Sequence, residues 1–216
     1  MATWMTHFRI ADRFIDIIGE KNIELPYFIF GNIGPDCGVV NPDGLTYTPD
    51  KTVSHFGRYP NREYDRFIKT YLCKKSDAES YSFYLGYYLH LMTDEEWLKN
   101  VFMPIKEKYI KIFTDFKSFV LSMRTCWNEL DKRFIIDNPE FRAFNIFSDI
   151  KNFPNEYIDF FPADAFDRQL NFIRDFYTLP HNKYEQVYEY TTAKELDLFI
   201  DRAVKNIENR INDVLK

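Results

Sequence analysis

The 216-residue chain carries 28 Lys+Arg against 33 Asp+Glu, a net charge of -5, and is 19% aromatic with only 7 Gly and 10 Pro. Such a composition supplies a sizeable core and excludes a disordered, fibrous or low-complexity chain; with no basic stripe to follow a phosphate backbone, nucleic-acid binding is not expected. Charged or polar residues interrupt every window of about 18 residues, the shortest that crosses a bilayer as a helix.

Residues 1–19 carry Arg9, Asp12, Arg13 and Asp16 through an apolar pattern, unlike a secretory signal, so a cytoplasmic location is expected. Cys37, Cys73 and Cys126 are odd in number and contain no CxxC, which suits reduced, mostly buried thiols. The 3.6-residue period predicts a first helix from Thr6, as N-cap, to Ile18, with His7 facing inward beside Ile10, Ala11 and Phe14. Residues 26–30 form a short apolar segment, and the two Gly and one Pro of GNIGPDCG, residues 31–38, force a turn around Asp36. Residues 39–60 show turn chemistry without a helical period and carry His55. Helices follow over about 61–72 and from the caps Ser76 and Asp77 to about 102, where Pro104 ends one helix and can open the next. An apolar stripe predicts helix through 105–134, and further helices are expected at 139–149, 163–177 and 193–215, the last opened by a Thr192/Glu195 capping box. Only residues 184–191 alternate as an extended segment. The expected fold is all-α, one compact multi-helix domain over residues 1–216.

His90 and Asp94 lie four apart in a helical segment and share a face with Gly86, Trp97, Leu98 and Val101. A buried carboxylate needs a cation, hydrogen-bond donors or a proton. A divalent metal shared with His90 meets that need, and a simple i,i+4 pair in a wet groove is the alternative. The chain has only four histidines; His7 is on an inward face, His55 is in the long loop, and Asp36 adds a carboxylate in a fixed turn. Imidazoles with carboxylates suit zinc, manganese or iron. His181 reads as a solvated loop histidine and Cys37 as a small buried residue. Glu95 and Glu96 lie on different helix faces, so at most one can approach a metal, and they otherwise read as a solvated acidic edge; Lys51 and Arg58 read either as solvated or as cations able to neutralise a phosphate. Trp97, Tyr84, Tyr87 and Tyr88 read as core, or as the lining of a headgroup pocket.

In order, a histidine in the first helix (His7), "FGNIGPDC" with Asp36, "VSHFG" with His55, and "YLGYYLHLMTDEEW" with His90 and Asp94 resemble the zinc-dependent phospholipase C family, whose fold is related to that of single-strand-specific zinc nucleases. The resemblance covers roughly residues 1–105. It implies that Asp36, His55, His90 and Asp94 bind one zinc, that Asp94 bridges to a second, and that His7 binds that second ion. A metal pair about 3.5–4 Å apart clamps phosphate oxygens during in-line displacement. Secreted members use the mature N-terminal residue as a ligand a long helix away from the first histidine, whereas here Met1 or Ala2 precedes His7 by a few residues, leaving the rest of the second site unassigned. A third ion would need two further histidines and a glutamate; with only His181 left, it is not expected.

The expected activity is hydrolysis of a phosphoester, in a small molecule or a phospholipid, by attack of a metal-activated water, with Asp36 orienting a metal and assisting proton removal. The cofactor is Zn2+, one ion or two. The alternative is a non-catalytic helical interaction or sensing protein that keeps a structural metal site, and the number of ions per chain separates the two.

Overall fold

The computed structural model describes residues 1–179 and 190–212. His181 lies outside the described residues, as does the expected extended segment 184–191 apart from Tyr190 and Thr191. The fold is all-α, with two minimal hairpins among the described residues.

Helix α1 (Trp4–Ile18) is capped by Thr3, not by Thr6. Both threonines offer the same local signal, and a distant contact decides between them. The Thr3 hydroxyl accepts from the Thr6 N–H at 3.2 Å and donates to Asp131 at 3.0 Å. The apolar segment at 26–30 is helical, with Pro26 in the first turn of α2 (Leu25–Gly31). A 3-10 turn, Gly34–Asp36, follows.

The loop region is more ordered than its turn chemistry suggests. Strands β1 (Val39–Val40) and β2 (Tyr47–Thr48) pair antiparallel, and the one-turn helix α3 (Lys51–Ser54) is capped by Asp50. Strands β3 (Gly57–Arg58) and β4 (Asn61–Arg62) form a second hairpin with Gly57 opposite Arg62. The helix expected at 61–72 therefore starts later, as α4 (Tyr64–Phe67) running into a π-helical turn, Ile68–Leu72.

Helix α5 (Ala78–Trp97) is capped by Asp77 and is buried on all sides from residue 85 to residue 97, the signature of a central core helix. It packs most extensively on α2, and also on α1 and α10. Backbone meets backbone where it crosses α2. A Cβ on Gly86 would lie 2.1 Å from the Phe28 carbonyl oxygen, and one on Gly31 would lie 2.1 Å from that of Phe83. These glycines set the end of α2 against the helical turn that carries His90.

A π-helical turn, Leu98–Phe102, leads into α6 (Met103–Tyr109), with Pro104 in its first turn. The stripe read as continuous over 105–134 is broken by a 3-10 turn, Ile110–Ile112, and by Asp115, whose side chain caps α7 (Phe116–Asp137). Apolar periodicity survives such a break because both halves face the same core. Helices α8 (Arg142–Asp149), α9 (Ala165–Thr178) and α10 (Ala193–Ile211) complete the fold, and both halves of the Thr192/Glu195 capping box are formed. Among the described residues no helix is long and apolar enough to cross a membrane.

Asp131 on α7 is 4% exposed and accepts from the Thr3 hydroxyl and, at 2.9 Å, from the Tyr177 hydroxyl. Burial outweighs these donors and pushes its carboxyl up to about 7. A carboxyl raised in the folded state stabilises the fold while protonated, so this contribution is lost as pH rises from about 4 through about 7. Asp131→Asn is expected to gain on the wild type over that window, by at most about 4 kcal/mol. Urea unfolding of both proteins at both ends of the window measures it, and a difference independent of pH would show that the carboxyl ionises normally.

Candidate metal centre

Five side chains expected to act together do converge. His7 comes from the second turn of α1, Asp36 from the 3-10 turn after α2, and His55 from the residue that ends α3. His90 and Asp94 come from one face of α5. All five are buried, with His7 and His90 fully so. Ligand atoms of His7, His90 and Asp94 lie within 4.8 Å of one another, as do those of Asp36, His55 and His90.

The two triads share His90, but His90 has one nitrogen to give. Its Nδ1 is 2.9 Å from the Asn32 carbonyl oxygen, which can only accept, so Nδ1 carries the proton and Nε2 presents its lone pair to the cluster. Asn32 also donates from Nδ2 to the His7 carbonyl at 2.7 Å, and the His7 and His90 rings stack 3.8 Å apart, 3° from parallel. Both ring nitrogens of His7 lack a hydrogen-bond partner.

Asp94, by contrast, has two oxygens that face different histidines. Oδ1 lies 3.6 Å from His7 Nε2 and accepts from the Ala2 N–H at 2.9 Å. Oδ2 lies 3.4 Å from His55 Nε2, 3.9 Å from His90 Nε2 and 3.4 Å from Arg62 Nη2. His55 Nε2 is also 3.5 Å from Asp36 Oδ1 and 3.3 Å from His90 Nε2. On its other side, His55 Nδ1 is 2.9 Å from the Ser54 hydroxyl. That hydroxyl can donate or accept, so it supports either tautomer of His55. With His90 Nε2 bare, the metal-free protein needs the His55 proton on Nε2, whereas a metal on Nε2 needs it on Nδ1.

Burial pushes the Asp36 carboxyl up, but Lys51 beside it and the hydrogen bond with His55 prevail and hold it well below the usual range. Burial likewise opposes ionisation of Asp94, and His7 at 3.6 Å with the surrounding charges, the chain's amino terminus and Arg62 among them, holds it well below that range too. Burial lowers His55, and burial followed by the neighbouring His7 lowers His90 further. The result is ionised carboxylates facing neutral imidazoles, the protonation states that metal ligands require.

Some neighbours keep their sequence reading and others do not. Lys51 is part-buried and paired; its ammonium sits 2.8 Å from Asp36 Oδ1 and 4.2 Å over the Tyr47 ring. Arg58 is exposed and 3.5 Å from Asp50. Glu95 and Glu96 are buried rather than a solvated edge. Glu95 accepts from Tyr64 and Lys99, and Glu96 accepts from Asn100 at 3.0 Å and Asn206 at 2.8 Å. Partners from α10 and from the chain around α4 cover that edge, which one helix read alone does not reveal. Trp97 and Tyr87 are fully buried core residues.

Arg62 and Asn32 enter the site without a sequence signal. Arg62 is one of several loop cations and Asn32 a polar residue in a turn, and only the packing of the second hairpin and of α2 against α5 turns them inward.

The family model for zinc dependent phospholipase C matches residues 6–95. The match spans less than half of the chain and supports its resemblance to that family. All five converging side chains fall inside the matched stretch, so the family's span and the cluster coincide. No curated protein and no solved structure matches the chain. The matched family's description points to a hydrolase, to zinc and to a phospholipid substrate. The His/Asp groups have the spacing to bind a metal.

Proposed function

We propose that the chain is a metal-dependent phosphoester hydrolase in which Asp36, His55, His90 and Asp94 hold one zinc ion, while Asp94 and His7 hold a second. The observation that carries this reading is the division of Asp94, with one oxygen toward His7 and the other toward His55 and His90. His90 is committed to Asn32 through Nδ1, so the group able to serve two ions is the carboxylate. The donors fit the metal. They are buried, convergent and borderline to hard in character, with the His7 nitrogens unpartnered. Manganese or iron would suit the same donors. When bound, such ions polarise phosphate oxygens and acidify water.

The chain's own groups do the rest. Asn32 and Ser54 orient the two imidazoles, and Asp94 couples the two positions. Asp36 is also the proposed acceptor of the proton lost by the attacking water. Held well below the usual carboxylate range, it is a weak base that passes the proton on rather than keeping it.

Complete burial of His7 and His90 favours a second reading, a closed structural metal in a helical interaction or sensing protein. Elemental analysis of protein purified without chelator, paired with turnover of bis(p-nitrophenyl) phosphate, separates the two. Two ions per chain with chelator-sensitive hydrolysis are expected. One ion without turnover would establish the structural reading, and no ion would overturn both.

A further inference from the structure

Arg62 is a buried cation whose hydrogen bonding is incomplete. Its side chain is 8% exposed, Nη2 makes one long contact of 3.4 Å to Asp94, and neither Nε nor Nη1 has a partner. Buried donors without acceptors are costly, and a guanidinium is the side chain best shaped to take phosphate oxygens in pairs. Lys51 stands on the Asp36 side of the same cluster, 20% exposed, and so reaches the surface.

The charges give these two residues a purpose. In the structure the carboxylates face cations, Lys51 on Asp36 and Arg62, along with the chain's amino terminus, against Asp94. If those carboxylates are given to metal, as proposed above, both side chains lose their counter-charge. Two divalent ions with Lys51 and Arg62 then face two carboxylates and three neutral imidazoles, an excess of about four positive charges in a low-dielectric site. Such a site favours a ligand of high negative charge and disfavours one that brings its own cation. Lys51 and Arg62 would flank the phosphoryl group, Arg62 through directed donors and Lys51 as a point charge.

We propose that Arg62 and Lys51 form an anion clamp over the His/Asp cluster that selects a terminal phosphate dianion, a phosphomonoester, over a phosphodiester bearing a quaternary ammonium headgroup. This rests on the metal-hydrolase reading, and it names residues for substrate choice that lie outside the proposed ligand set. The terminal phosphate could belong to a soluble molecule or to a lipid.

The test uses the zinc-loaded full chain. Inorganic phosphate is titrated calorimetrically into wild type, Arg62→Gln, Arg62→Lys and Lys51→Gln, with zinc content measured on each. Turnover of p-nitrophenyl phosphate is compared with that of p-nitrophenyl phosphorylcholine, and phosphate release from vesicles of phosphatidic acid in phosphatidylcholine distinguishes a lipid from a soluble source. Wild type is expected to bind phosphate and to prefer the monoester. Arg62→Gln should weaken phosphate binding and cut that preference, each by about tenfold or more, with zinc retained. Arg62→Lys should recover part of the loss, and Lys51→Gln should move both readouts in the same direction. Equal phosphate affinity in wild type and Arg62→Gln, or a wild-type preference for the choline ester, would overturn the clamp while leaving the hydrolase intact. Should Arg62→Gln fail to fold, Lys51→Gln and Arg62→Lys decide by the same criteria. A wild type that takes up no zinc would instead defeat the hydrolase reading, and the clamp then stands or falls on whether phosphate binding still depends on Arg62.

Discussion

Asp94→Asn is expected to release both metal ions together. The amide keeps the shape of the carboxylate and one oxygen for the Ala2 N–H, but loses the charge that faces His7 on one side and His55 and His90 on the other. Changes to groups that merely orient ligands cost about 10–100-fold in metal affinity, so loss of the shared anion should cost about 100-fold or more. Elemental analysis of the variant, purified as the wild type, should find no bound zinc; a full complement would remove Asp94 from the site. The variant should also be less stable than the wild type without metal, by about 3 kcal/mol, because Arg62 is left buried without its anion.

Gly86→Ala is expected to be strongly destabilising, as is Gly31→Ala on the facing helix. The new Cβ at position 86 would lie 2.1 Å from the Phe28 carbonyl oxygen and 2.9 Å from the Asn32 nitrogen, both backbone atoms that no rotamer change can move aside. Helices α2 and α5 must separate, at a cost near the upper end of overpacking effects, about 3 kcal/mol. For a chain of this length that lowers the melting temperature by about 10 °C. Circular dichroism on metal-free protein measures it, and an unchanged melting temperature would show that the helices part at no cost. Zinc affinity should fall as well, because Asn32 moves with α2 and its carbonyl holds His90.

The parts of the site legible in the sequence are those set by local geometry. His90 and Asp94 share a face because a helix repeats every 3.6 residues. Asp36 was marked by the Gly and Pro around it, and His7 by the apolar period of α1. The order of these residues also carried the family resemblance, which the match over residues 6–95 supports. What remained hidden depends on contacts between distant segments. The cation against Asp94 is Arg62, and no local pattern separates it from Arg58, whose side chain is 70% exposed. Lys51 was visible as a nearby charge, but its bond to Asp36 was not. Glu95 and Glu96 look solvated on an isolated helix and become buried only when Tyr64 and Asn206 arrive from elsewhere. The break before α7 was masked for the same reason that α5 was recognised: burial, not helix continuity, sets the apolar pattern.

Asn32 holds the three histidine-bearing parts of the fold to one another in an unusual way. Its side chain grips the backbone of α1 at His7, its own backbone grips the ring of His90 on α5, and four residues later the same turn supplies Asp36 to His55. The ligands therefore do not hang from independent tethers. A shift of this one joint would misalign both imidazoles of the stacked pair at once, so the centre should assemble and come apart as a unit, with empty and filled proteins coexisting at intermediate zinc supply in place of a population of half-formed sites.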